Sequence, residues 1–196
     1  LMGRRTERRA PIMKPLVTWA GSEWNAQISP DAQWISFVSD QGGTSAIWLQ
    51  RVKGGEPRQL VADPDLLNAL WSPDGESIGY LKSRLGETAF TIVPAFGGRS
   101  ARTIELPSEL SNGVLLRWYG SNVYLEAPHN GLWKVDAGSG NAERLVESQT
   151  RVGLRVDFDV HPDEKQIAFG LKVGSLFALW LADADGKNAK PLTSGP

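Results

Sequence analysis

The chain is predicted to be all-β, a beta-propeller of about four four-stranded blades forming part of a six- to eight-bladed ring. Three observations predict it. One pattern of residues recurs four times, as a turn, an aliphatic strand, a loop, a third strand rich in Trp or Phe, a glycine-containing turn and a short outer strand. The second-strand aliphatics Ile35, Ile78, Val123 and Ile167 are spaced by 43, 45 and 44 residues, and a fixed period of about 40–45 residues built of strand-type segments marks a propeller blade. The inner strands, finally, read as nearly continuous apolar runs, as in a sheet covered on both faces.

Taken in order, the first copy opens at Ser29-Pro30-Asp31 and continues through Trp34-Ile35-Ser36-Phe37, Gly42-Gly43, Ala46-Ile47-Trp48-Leu49, Gly54-Gly55 and Arg58-Gln59-Leu60-Val61. The second opens at Ser72-Pro73-Asp74-Gly75 and runs through Ser77-Ile78-Gly79-Tyr80, Phe90-Thr91-Ile92-Val93, Gly97-Gly98 and Arg102-Thr103-Ile104. In both, Pro presets φ at the second turn position, and Asp and Gly suit the third and fourth. The third copy lacks this turn around Tyr119-Gly120 but keeps Val123-Tyr124, Leu132-Trp133-Lys134-Val135, Gly138-Ser139-Gly140 and Arg144-Leu145-Val146. The fourth restarts at His161-Pro162-Asp163, with Gln166-Ile167-Ala168-Phe169, Ala178-Leu179-Trp180-Leu181, Asp185-Gly186 and Pro191-Leu192. Copies one and four lack the Gly after Asp. Blade boundaries near 15–62, 63–106, 107–147 and 148–196 follow, and Pro15-Leu16-Val17-Thr18 reads as the outer strand of a blade before the first.

Composition is that of a globular chain, with 41% hydrophobic and 22% charged residues and a net charge of −1. No apolar run approaches the length of a membrane helix. The charge is uneven. Residues 1–14 hold Arg4, Arg5, Arg8, Arg9 and Lys14 against Glu7, so the rest carries five more acids than bases. The segment 1–14 reads as a basic flexible leader with little apolar surface to bury. A juxtamembrane position would require flanking sequence, so a membrane enters only through such a segment. A net positive charge confined to the leader argues against nucleic acid as a partner. Cysteine is absent, which excludes disulfides and thiol chemistry without fixing the compartment.

These residues resemble the TolB-type, WD40-like beta-propeller repeat. Ser29-Pro30-Asp31 with Ile35-Ser36-Phe37-Val38-Ser39-Asp40, Gly43 and Ile47-Trp48 is similar to that family's pattern, Ser72-Pro73-Asp74-Gly75 is its complete turn, and Gly21-Ser22-Glu23 looks like its lead-in between blades. The resemblance covers residues 15–195. It implies a scaffold used for protein interaction in the bacterial envelope, as a sensor domain, or as the gating domain of prolyl-oligopeptidase-like peptidases. It favours the cell envelope or periplasm, while the sequence leaves the cytoplasm open. Fold alone does not choose among these uses.

No catalytic constellation is legible. His161 stands where Ser29 and Ser72 stand and reads as a turn residue, and His129 sits in a hairpin loop. There is no Gly-x-Ser-x-Gly elbow, phosphate loop or metal-spaced Cys/His cluster. Asp183-Ala184-Asp185-Gly186 superficially resembles the opening of a calcium loop, but Lys187 falls where a third ligand belongs. The expectation is a non-enzyme with no cofactor and no metal.

Binding candidates come from two sources. Trp48, Trp133 and Trp180 share a third-strand position and Trp71 and Trp118 end first strands, so packing accounts for them; Trp19 and Trp24 have no repeat partners and are candidate anchors for a partner. First strands of propeller blades line the channel, and here they carry Asn25, Gln27, Asn68, Arg117, Asp157 and Asp159. Asn25, Asn68, Arg117 and Asp157 are therefore the channel candidates, with Arg117 either opposing the acids or gripping a peptide carboxylate. The expected function is a non-catalytic scaffold binding a protein or peptide. The alternative is the accessory gating propeller of a serine peptidase whose catalytic domain lies outside these residues. Self-association completing a ring is a third mode of partnership, since an open arc exposes apolar blade faces.

Overall fold

The computed structural model describes residues 15–97, 101–127, 130–147, 158–173 and 176–193. The basic leader, His129 and Asp157 lie outside the described residues. Four four-stranded antiparallel sheets follow one another along the chain. Blade 1 is β1 (Glu23–Ile28), β2 (Trp34–Ser39), β3 (Ala46–Arg51) and β4 (Arg58–Ala62). Blade 2 is β5 (Leu66–Trp71), β6 (Ser77–Arg84), β7 (Glu87–Pro94) and β8 (Arg102–Glu105). Blade 3 is β9 (Val114–Tyr119), β10 (Asn122–Ala127), β11 (Gly131–Asp136) and β12 (Ala142–Val146), and blade 4 is β13 (Phe158–Val160), β14 (Gln166–Val173), β15 (Leu176–Asp183) and β16 (Lys190–Pro191). Each strand pairs with its neighbour in the chain, so every blade is a meander.

The turn between first and second strands is built by side chains. In blade 1 the Ser29 hydroxyl donates to Asp31 Oδ1 (2.5 Å) and accepts from the Trp34 amide (2.9 Å), while Asp31 Oδ1 accepts from the Gln33 amide (3.0 Å). Blade 2 repeats this with Ser72, Asp74, Ser77 and Glu76. In blade 4 His161 Nδ1 lies 2.6 Å from Asp163 Oδ1, which accepts from the Lys165 amide, so His161 fills the serine's place. These hydrogen bonds hold the Asp31, Asp74 and Asp163 carboxyls below the usual carboxylate range. Blade 3, which lacks the motif, turns over Gly120 and Ser121 alone, with Tyr119 directly paired to Asn122.

The core lies between blades rather than within one. Cross-strand partners share a face. Val38 and Ile47 pair and point at blade 2, where they meet Leu66, Ala69, Ile78, Tyr80 and Val93; Phe37 and Trp48 pair and point away. Blades 2 and 3 enclose Leu81, Phe90, Ile104, Leu115, Val123 and Leu125. Blades 3 and 4 enclose Tyr124, Leu132, Leu145, Phe158, Val160, Ile167 and Phe169. Gly79 makes the middle junction feasible, because a Cβ there would sit 2.2 Å from the Phe90 ring and 2.7 Å from Trp118.

One expectation is corrected. Residues 15–22 form no strand, for a strand needs a neighbouring edge to bond and no strand precedes β1 among the described residues. Instead Trp19 packs its ring on Phe37 (5.7 Å) and Trp48 (4.6 Å), covering the face that points away from blade 2. The repeated Trp48, Trp133 and Trp180 are only half-buried. Trp133 and Trp180 pack on the cores shared with the blade before them, and Trp48, which has no such blade before it among the described residues, takes Trp19 as its cover.

Candidate functional site

The first strands β1, β5, β9 and β13 stand side by side in chain order along the inner edge of the arc. Three of them are bulged. The pairing of β1 with β2 slips between Trp24 and Gln27, with Asn25 at φ +53; β5 slips at Leu67, and β9 at Leu116. A bulge frees backbone groups from the ladder, and buried backbone groups need partners.

The channel candidates supply them. Asn25 Oδ1 accepts from the Ala69 amide (2.7 Å), and the Trp24 indole N–H donates to the Leu67 carbonyl (3.4 Å), so two adjacent side chains of blade 1 serve the bulge of blade 2. Asn68 does the same one blade on. Its Nδ2 donates to the Leu115 carbonyl (3.0 Å) and its Oδ1 accepts from the Leu115 amide (3.3 Å), in a buried setting. Asn25, Asn68 and Trp24 therefore tie successive blades together through side-chain-to-backbone bonds. Two arginines of the outer strands repeat the device at the rim, Arg58 donating to the Ala95 carbonyl and Arg102 to the Gly138 carbonyl.

Arg117 differs. It is half-exposed, its Nε donates to Asp159 Oδ1 (3.2 Å) on the first strand of blade 4, and its Nη1 donates to the Leu116 carbonyl (2.8 Å). The same Asp159 oxygen accepts from the Val160 amide (3.0 Å) and the Tyr119 hydroxyl (3.4 Å). Partial burial, and then the Asp159 charge, push the Tyr119 phenol above its ordinary pKa. Beside this group opens a cleft of about 640 Å³ lined by the three first strands and two turns, with Gln27, Ile28, Trp71, Arg117 and Tyr119 on its walls. Ile28 is 64% exposed there. The cleft thus sets an apolar wall beside a guanidinium, an arrangement that suits a carboxylate-bearing chain.

Of the predicted residues, the structure brings Arg117 to the cleft, ties Asn25, Trp24 and Asn68 into the blade junctions, and sets Trp19 over blade 1. The acids of the calcium-like segment are engaged in their own turn, Asp185 with Lys187 Nζ (2.9 Å) and Asp183 with Asn188 Nδ2 (2.6 Å). Sequence reasoning passed over Tyr119, and over a second group on the same end of the blades, where Arg51 stacks on Trp34 and Trp34 meets Phe96. The available signal was departure from the repeat.

No protein-family model matches the chain. It is 44% identical over 52 residues to the uncharacterized peptidase YuxL of Bacillus subtilis, a match that spans 26% of this chain and 8% of that protein. Among solved structures it is similar to TolB from Acinetobacter baumannii, with TM-score 0.67 and 22% identity, over 88% of this chain and 44% of that one. It is also similar to the acylaminoacyl peptidase of Pyrococcus horikoshii, with TM-score 0.60 and 16% identity, over 87% of this chain and 32% of that one. The chain thus spans less than half of each protein named here. With its four consecutive four-stranded blades, the chain has a beta-propeller fold of the TolB type.

Proposed function

We propose that the chain is a non-catalytic binding propeller whose inner cleft receives a peptide or protein segment bearing a carboxylate. One observation carries this reading: Arg117 is exposed beside an apolar-walled cleft while the other described first-strand candidates are committed to holding blades together. Asp159 holds the guanidinium at Nε and the Leu116 carbonyl holds it at Nη1. Binding here needs no covalent step. The rigid display of a cation at a cleft mouth is sufficient.

A display selection from random peptides with this chain as bait tests it. The expected binders end in, or contain, a carboxylate and lose affinity in Arg117→Ala and Ile28→Asp, both exposed positions whose replacement leaves the fold intact. Binders indifferent to both substitutions, or no binders, would sink the proposal.

The short match to a peptidase and the fold shared with the Pyrococcus enzyme favour a second reading, the accessory gating propeller of a serine peptidase. Under it, a protein containing this chain would carry a fluorophosphonate-reactive serine outside residues 15–193. Deleting the propeller would then let larger substrates be cut. Absence of any such serine from the complete protein would dismiss this reading.

A further inference from the structure

The four blades act as internal controls for one another. At the end of the hairpin between second and third strands, the pairs Trp34–Arg51, Ser77–Pro94, Asn122–Asp136 and Gln166–Asp183 occupy one repeat position. Three blades build that position from small or polar residues, so the fold does not require an aromatic or an arginine there. Blade 1 nevertheless has both. The next blade faces the pair with Phe96, whose repeat counterparts one residue past the backbone-bonded Val52, Ala137 and Ala184 are Lys53, Gly138 and Asp185. Three departures from the repeat thus converge on one spot.

Their geometry is that of a recognition surface. The Arg51 guanidinium lies 4.5 Å from the Trp34 ring centre, and Phe96 lies 5.2 Å from Trp34 and 6.2 Å from Trp71. Phe96 is 48% exposed despite these contacts. Arg58, tied to the Ala95 carbonyl, adds a second guanidinium 5.9 Å from Trp34 and 5.8 Å from Phe96. Stacking occupies the flat face of a guanidinium and leaves its N–H edge free. Asp31 and Asp74, the nearest turn acids, are spent on their own turns, and Glu56 and Glu76 are the remaining acids of the neighbouring loops. The spot presents cations in a body that otherwise carries more acids than bases.

We propose that Trp34, Arg51, Arg58 and Phe96 form a docking site for an acidic peptide segment that carries an apolar side chain. A carboxylate meets the edge of Arg51, and the apolar side chain lies on Phe96 and Trp34. A polyphosphate backbone fits less well, because two guanidiniums make no extended positive track. The site lies outward of the cleft that holds Arg117, so it stands or falls independently of the function proposed for that cleft.

The test follows the Trp34 indole N–H by NMR while a blocked peptide, acetyl-Phe-Asp-Glu-Leu-amide, is added, with acetyl-Phe-Asn-Gln-Leu-amide as its neutral twin. Saturable movement of the Trp34 signal is expected, with affinity about fivefold lower for the neutral peptide, the size of one exposed ion pair. Arg51→Ala should abolish the preference for the acidic peptide, Arg51→Lys should restore it only in part, and Phe96→Ser should weaken both peptides. Arg117→Ala should leave the titration unchanged. Equal response to both peptides, an undiminished preference in Arg51→Ala, no movement of Trp34, or stronger movement with a short DNA duplex would each overturn the proposal. Loss of the response in Arg117→Ala would overturn its independence from the cleft.

Discussion

Ala32 and Glu164 both sit at φ +56, the place in the turn that Gly75 fills at φ +74 in blade 2. A side chain in the left-handed region is held at a cost of about 1–2 kcal/mol, partly offset by the greater freedom glycine brings to the unfolded chain. Ala32→Gly should therefore raise stability by about 0.5–1 kcal/mol in chemical denaturation. The turn aspartates predict the acid limb of the stability curve. Their folded pKa values lie below the unfolded ones, so their contribution is complete above about pH 4 and is lost as pH falls through the lower folded values. Asp74→Asn should flatten the fall in melting temperature below that point; an unchanged slope would show the turn to be indifferent to its charge. The turns were legible in the sequence because Pro, Asp and Gly act locally. The conformation of Ala32 was not, since only the repeat, and not the residue, demands it.

At the scale of the strand, the bulges join sequence to assembly. Those of β5 and β9 free backbone groups that the preceding blade satisfies, and Asn68 satisfies two of them at once in a buried setting. Asn68→Ala should destabilise by about 2–4 kcal/mol, because it leaves a buried N–H and a buried carbonyl without partners. A loss under about 1 kcal/mol in urea titration would mean that water replaces the amide. The strands themselves were readable from their 43- to 45-residue recurrence. The role of Asn68 was not. A polar residue on a first strand reads equally as channel lining or as a tie, and its target Leu115 lies 47 residues away in a strand whose bulge leaves no mark in the sequence. Trp34, Arg51 and Phe96 stayed hidden for a different reason. Each is ordinary alone, and only the cross-strand register and the next blade bring them together.

Across the whole arc the junctions are unequal. Blades 1 and 2 and blades 2 and 3 are tied by an asparagine on the inside and an arginine outside. Blade 4 is joined on the inner edge by the exposed Arg117–Asp159 pair, and Glu143 stands near Lys187 on the outside. Exposed pairs contribute at most about 1 kcal/mol and are screened by salt. Raising the salt to about 1 M should therefore speed amide exchange in β13 and β14 by up to about fivefold while β6 and β10 hold steady, and uniform exchange across the arc would contradict this ranking. Five of the side-chain-to-backbone ties between blades share a direction, while the one from the Ser111 hydroxyl to the Gly86 carbonyl runs the other way. In those of Trp24, Asn25, Arg58, Asn68 and Arg102 the side chain belongs to the earlier blade and the backbone group to the later one. As the chain leaves the ribosome, each blade thus finds the partners for its awkward backbone already in place. A nascent chain halted after blade 2 or 3 strands only surface amides and guanidiniums that water can serve. One begun after blade 1 strands main-chain groups inside a fold, so synthesis from the amino end supplies these five partners before the backbone groups that use them.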